Sequence, residues 1–254
     1  LKNPRVSAFI CGQKNMYSPY DFNQSIAHRA EYVEERLKAG MPVIGISYDE
    51  GILLFTVKRT QRKVFEIYDQ IIYSAIGNQA DVEAVRLASI DFAHQEGFSR
   101  SPDDVSIQRL VGFAISPPLK RAFGDPMTTP NVLRALFAEI GSTPDKDQFF
   151  VLNYDGEFSN HSGFAIATGA ESAEDAMREK LAAHEGVPDL KTAIERAREA
   201  FRVGIGTKSD DEDGGEPGDA LEEALKVGEI EAAVLERNTP RESKFRLLTA
   251  NELV

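Results

Sequence analysis

Apolar and polar positions along the chain fall into blocks with two different periods. From Asp21 to Lys38, Phe22, Ile26, Tyr32, Val33 and Leu37 recur at roughly helical spacing. Asp21 suits an N-cap, and Gly40 and Pro42 follow in the order that closes a helix. Residues 1–20 carry no such period and read as an arm punctuated by Gly12 and Pro19. VIGISYDEGILLFTV (43–57) is two β-rich runs around Asp49-Glu50-Gly51, a hairpin in which glycine is expected to supply a positive φ. The basic turn KRTQRK (58–63) leads to VFEIYD (64–69) and IIYSAIG (71–77). Four short strands joined by tight turns predict antiparallel sheet.

The middle of the chain reads as helical. Val82, Val85, Leu87, Ala88, Phe92 and Ala93 form an apolar stripe that stops at Gly97. A second helix is expected to open at Asp103 or Asp104, with Val105, Ile107, Leu110, Val111 and Ala114 inward, and to be disturbed by Pro117-Pro118. NVLRALFAEIG (131–141) holds good helix formers, yet it is short, follows Pro130 and precedes a turn-rich loop and FFVLNYDG (149–156), so both runs are assigned to a hairpin. FAIATG (164–169) is a strand. SAEDAMREKLAAH (172–184) is a capped helix, and Asp189 starts another through Val203. Residues 204–219 are assigned to a mobile surface loop, and EIEAAVLERN (229–238) and SKFRLLT (243–249) close the chain as a hairpin. Helices in pairs between blocks of antiparallel strands predict α+β architecture in four layers, two sheets face to face with helices outside. No linker divides the chain, so 1–254 is expected to be a single domain, with the sandwich over 43–254.

Composition narrows the function classes. With 42% hydrophobic and 28% charged residues the 254-residue chain is globular, and no apolar run reaches the ~20 residues of a membrane-spanning helix. Neither a secretory leader nor a membrane association is expected. The sequence opens on Leu1 rather than Met, consistent with a cropped or processed start. One cysteine, Cys11, forms no internal disulfide or multi-thiolate metal site, which points to a cytoplasmic setting. A net charge of −12 is the wrong sign for a nucleic-acid partner. The acidity is uneven, since residues 209–223 hold eight acids and no base. That run lacks the alternating ligand spacing of a calcium loop and reads as solvated charge. His28, His94, His161 and His184 stand apart, without metal spacing. No glycine-rich nucleotide motif and no serine-nucleophile turn is present, so no cofactor and no metal is expected.

Several blocks in colinear order resemble the α-type subunit of the 20S proteasome, the bacterial form above all. KVFEIYDQIIYSAIGNQADVEAVRLASIDFAHQEG (63–97) is similar to the family's lysine–strand–Gly–helix block, and Lys63 to Gly77 match it without a gap. VIGISYDEGILLFTV (43–57), VLNYDGEF (151–158) and AAVLERNTPRESKFRLLT (232–249) are similar to the first hairpin, the tyrosine-containing central strand and the final hairpin. The similarity spans roughly 17–254. It departs at the start, where Ser18-Pro19 precedes Tyr20-Asp21. The resemblance implies the αββα fold of N-terminal-nucleophile hydrolases with an extra N-terminal helix (21–38), and a non-catalytic, gating subunit. On that footing 1–20 is a gate arm with its turn at Pro19 and Tyr20. Lys63, Gly77 and Asn78 form the intersubunit pocket for a regulator's C-terminal tail. The implied partners are further copies in a homo-heptameric ring, β-type subunits, a hexameric ATPase regulator and unfolded protein substrates. Catalysis in this fold needs an N-terminal threonine whose own amine activates its hydroxyl. Here the first threonine is Thr56, inside an expected strand, so no catalytic residue is assigned. A Cys11-Gly12 start, as in amidotransferases of the same superfold, would need an immediate strand, whereas GQKNMYSPYD follows. The alternatives are a self-compartmentalising hydrolase of this fold, active by itself, and an orphan binding module.

Overall fold

The computed structural model describes residues 19–209 and 219–253. Helix α1 (Pro19–Leu37) is followed by β1 (Val43–Tyr48), β2 (Gly51–Lys58), β3 (Val64–Tyr68) and β4 (Ile71–Gly77). Next come α2 (Gln79–Ser99), a single turn α3 (Ile107–Arg109), a π-helical segment (Leu110–Ile115) and α4 (Ser116–Gly124). The second half holds β5 (Leu133–Glu139), β6 (Gln148–Leu152), β7 (Phe158–His161), β8 (Phe164–Ala167), α5 (Glu171–Ala182), α6 (Leu190–Ser209), α7 (Asp219–Val227), β9 (Glu229–Glu236) and β10 (Phe245–Leu247).

The strands form two five-stranded antiparallel sheets, β10-β9-β2-β1-β8 and β3-β4-β5-β6-β7. The four strands before α2 therefore split two and two between the sheets. Each sheet is covered on both faces, which is why β1 and β2 read as continuous apolar runs although they are antiparallel. Along β2, Ile52 and Leu54 face the other sheet, while Leu53, Phe55 and Val57 face α5, α6 and α7. On the opposite outer face Tyr73, Ala135 and Phe137 pack against α2, the π segment and α4. Each fully buried Phe or Leu contributes ~1.5–3 kcal/mol. The result is the four-layer αββα sandwich that the chain's pattern predicts.

At one end of the sandwich lie Val43, Lys58, Val64, Gly77, Leu133, Leu152, Ala167 and Glu229, the strand termini on that side. Facing strands make one flank of β9 with β3 and another of β8 with β5 and β6. The C-terminal half of α1 plugs the mouth between the sheets there, with Val33 and Leu37 buried in the inter-sheet core.

Several local expectations need correction. Helix α1 starts at Pro19, where a proline's missing N–H costs nothing, so Asp21 is its third residue and not the cap. Gly51 has no positive φ; a Cβ there would lie 1.9 Å from the Leu235 carbonyl oxygen, so close approach of β9 demands glycine. In α2 the buried face is Val82, Val85, Ser89 and Ala93, while Leu87 and Ala88 are exposed. The helix continues through Gly97, which makes room for the Tyr68 ring, to Ser99. Asp103 and Asp104 lie in a 3₁₀ turn, and Ser106 caps α3. Pro117 and Pro118 do disturb the helix, as expected, without interrupting it. They sit in the first turn of α4, after a π segment in which Ser116 N–H bonds the Val111 carbonyl.

Strand β6 ends at Leu152; Asn153–Gly156 is a turn with Gly156 at φ 84°. Helix α5 has no side-chain cap at Ala170. Of the expected 204–219 loop, 204–209 continue α6, because Gly204 lets α6 lie against Met177 of α5. Residue 219 opens α7, and 210–218 lie outside the described residues. The polar strand β7 and helix α7 have no counterpart in the sequence expectation.

Candidate functional site

Lys63 immediately precedes β3 at the α1 end of the sandwich. Its backbone N–H donates to Glu231 Oε2 at 2.7 Å, and Glu231 is itself almost fully buried. Its ammonium donates to the Met41 carbonyl at 2.8 Å and to Thr56 Oγ1 at 3.0 Å. Thr56 in turn donates to the Pro42 carbonyl at 2.7 Å. Main chain, strand and turn thus hold the ammonium in place. Beside it opens a cleft of about 230 Å³ lined by Lys63, Arg59, Arg62, Gly40, Gly77 and Gln79, among others.

Of the three residues expected together, Lys63 and Gly77 line this cleft. Gly77 has φ 130° and pairs with Leu133; a Cβ would lie 2.0 Å from the Val132 carbonyl oxygen, so the fold itself requires glycine here. Asn78 is engaged elsewhere. Its Oδ1 accepts from Ala80 N–H at 2.9 Å and caps α2, while its own N–H bonds the Val132 carbonyl. Gln79, which no sequence signal marked, lines the cleft instead.

Pro19 and Tyr20 are the first two residues of α1, and the arm before them, with Cys11, lies outside the described residues. Helix α1 is clamped along its side by Arg29, whose guanidinium donates to the carbonyls of Ala122, Phe123 and Thr128 at 2.9, 3.0 and 2.7 Å. One side chain thus reaches three carbonyls at and beyond the end of α4, of which that of Ala122 also accepts from the Thr128 hydroxyl at 2.9 Å. Tyr154 adds a second tie, donating to Glu34 at 2.8 Å, and burial with this bond pushes its phenol upward.

Thr56 is fully buried in mid-strand and hydrogen-bonded on both sides, so its closeness to a lysine does not make it a nucleophile. The histidines remain apart: His94 meets Tyr68 edge-on, His161 bonds Ser159, and His184 lies 4.0 Å from Glu199. Among the described residues no group of three or more His, Cys, Asp or Glu could hold a metal, and no helix is long and apolar enough to cross a membrane.

A second constellation escaped sequence reasoning. At the opposite end of the sandwich Asp147, 1% exposed, accepts from Ser47 Oγ, Gly141 N–H and both terminal nitrogens of Arg237. Its members come from β1, the β5–β6 loop and the end of β9, so no spacing in the sequence announces them.

The proteasome subunit family model matches residues 37–216. A proteasome subunit alpha of Actinosynnema mirum is 32% identical over 227 residues, 88% of this chain and 81% of that protein. One of Xylanimonas cellulosilytica is 30% identical, covering 88% of each, and one of Thermobifida fusca 29%, covering 91% and 86%. Fold, colinear blocks and extent of identity agree: the chain belongs to the proteasome subunit family, on its α-type side.

Proposed function

We propose that the chain is the non-catalytic subunit of a bacterial proteasome, seven copies of which form the outer ring that gates entry, receives an ATPase regulator and seats the proteolytic β-type ring. The observation that carries this is α1. Val33 and Leu37 fill the mouth between the sheets at the end where Lys63 stands, so the place in which a chain-terminal nucleophile of this fold would work is closed by a helix. The residues before that helix, 1–17, carry no regular apolar period and form the gate arm.

Lys63 offers a held positive charge beside a cleft, suited to the C-terminal carboxylate of a hydrophobic–tyrosine–any-residue tail from the hexameric regulator. One charged hydrogen bond contributes ~1.5–3 kcal/mol, so tight docking needs several tails on one ring. Helix α2 supplies the face toward the β-type ring. Leu87 and Phe98 stand 48% and 95% exposed on it, eleven residues or about three turns apart and so on one side.

The test is hydrolysis of fluorogenic peptides and of an unfolded protein by the purified chain alone and with a β-type partner. Activity is expected only with the partner, and deletion of 1–17 should then speed degradation of unfolded protein several-fold. Turnover by the lone chain would instead support the self-compartmentalising hydrolase.

A further inference from the structure

A groove of about 960 Å³ lies at the α1 end, on the β8 flank, walled by α1, the β6–β7 turn and the start of α5. Its ionisable lining is six acids against three bases. Glu35, Glu174 and Asp175 are paired with Lys38, Arg134 and Arg178. Glu34, Asp155 and Glu171 are in no ion pair among the described residues, so the groove carries three uncompensated negative charges. Thr168 also lines it. That residue is fully buried and its hydroxyl has no hydrogen-bond partner, a cost of ~1–3 kcal/mol that an incoming polar group would remove.

The matching surface is on the same chain. The β2–β3 turn (58–63) carries four cations in six residues and sits at the same end, on the opposite β9–β3 flank. Lys58 is paired with Glu229, and Arg62 lies over Phe65 and Phe245. Arg59 is exposed and makes no ion pair among the described residues. A basic turn and an acidic groove on opposite flanks of one end cannot meet within a copy. They can meet between neighbours that stand side by side with the same end up, a heterologous contact that repeats around a ring. In a chain of net charge −12, neighbours repel unless the contact itself matches opposite charges.

We infer that the groove of α1, the β6–β7 turn and α5 is the acceptor for the basic β2–β3 turn of a second copy of this chain, with Arg59 inserted toward Glu34 and Glu171. The inference rests on the ring reading above and adds to it which surfaces touch.

The experiment follows assembly of the full chain, with and without the β-type partner, by native mass spectrometry across a concentration series. Arg59→Glu, and separately Glu34→Lys with Glu171→Lys, should each raise the concentration for half-assembly about tenfold. The chain carrying all three changes should return to within about threefold of wild type, because the charges match again. Circular dichroism and thermal melts check that each variant is folded, and the recovery itself separates lost contact from lost fold. Wild-type chain that forms no ring under either condition overturns both the ring reading and this contact. Wild-type rings with unaffected single-side variants, or without recovery in the combined one, overturn this contact alone.

Discussion

The two ends of the sandwich each hold a polar constellation, and they differ in closure. Around Asp147 every carboxylate oxygen is used, by a serine hydroxyl, a backbone N–H and a two-pronged guanidinium, and the carboxylate is shut away from solvent. Around Lys63 the ammonium is equally well held, by Met41 and Thr56, yet it borders an open cleft. Both bring together residues distant in the chain. The closed one ties the β5–β6 loop to the other sheet and leaves no room for a ligand. The open one fixes a charge where a partner can reach it. A buried carboxylate with both oxygens used is architecture, whereas a positioned charge at a mouth is available for binding.

The comparison is broken most directly through stability. Arg237→Ala leaves Asp147 buried without its counter-charge and should cost ~3–5 kcal/mol in denaturant unfolding. A loss no greater than that of Lys63→Ala would erase the distinction between the two ends. Thr56→Val removes a buried hydroxyl that accepts from Lys63 and donates to Pro42, and is expected to cost ~1–2 kcal/mol. Regulator-tail affinity, measured by fluorescence anisotropy, should fall with it, since the ammonium loses one of its anchors. Unchanged affinity would mean that the main chain alone positions Lys63.

The smallest effect concerns pH. Bonds from the Thr249 N–H and hydroxyl and from Arg246 hold the Glu252 carboxyl at about 2, against an ordinary 4.5. Its folded-state value is depressed, so its contribution is complete above the ordinary carboxylate range and is lost as pH falls from about 4.5 to about 2. Protection of the 249–252 amides, with the intrinsic pH dependence of exchange divided out, should fall only across that window. A fall in protection already at pH 6 would contradict the assignment.

Much of the fold was legible because both sheets are covered on both faces: VIGISY and GILLFTV have no polar side to blur them. Residues 131–141 were legible only through the neighbouring strand, since β5 is built from helix formers that pairing with β4 and β6 overrides. The failures have physical causes. Strand β7 is polar because its side chains are largely exposed. Gly204 looks like a helix terminator and serves as a packing notch for Met177. Of the candidate site, that Lys63 and Gly77 line one cleft was legible only through a colinear resemblance. The acidic groove was not, because its walls come from residues near 34, 155 and 171, joined only by the fold.

The measurement that bears most directly on the account is regulator-stimulated degradation by particles carrying Lys63→Ala. The account predicts intact rings and unchanged hydrolysis of small peptides, with stimulation by the regulator, or by its isolated tail peptide, reduced about tenfold or more. Stimulation equal to wild type in assembled Lys63→Ala particles would contradict it.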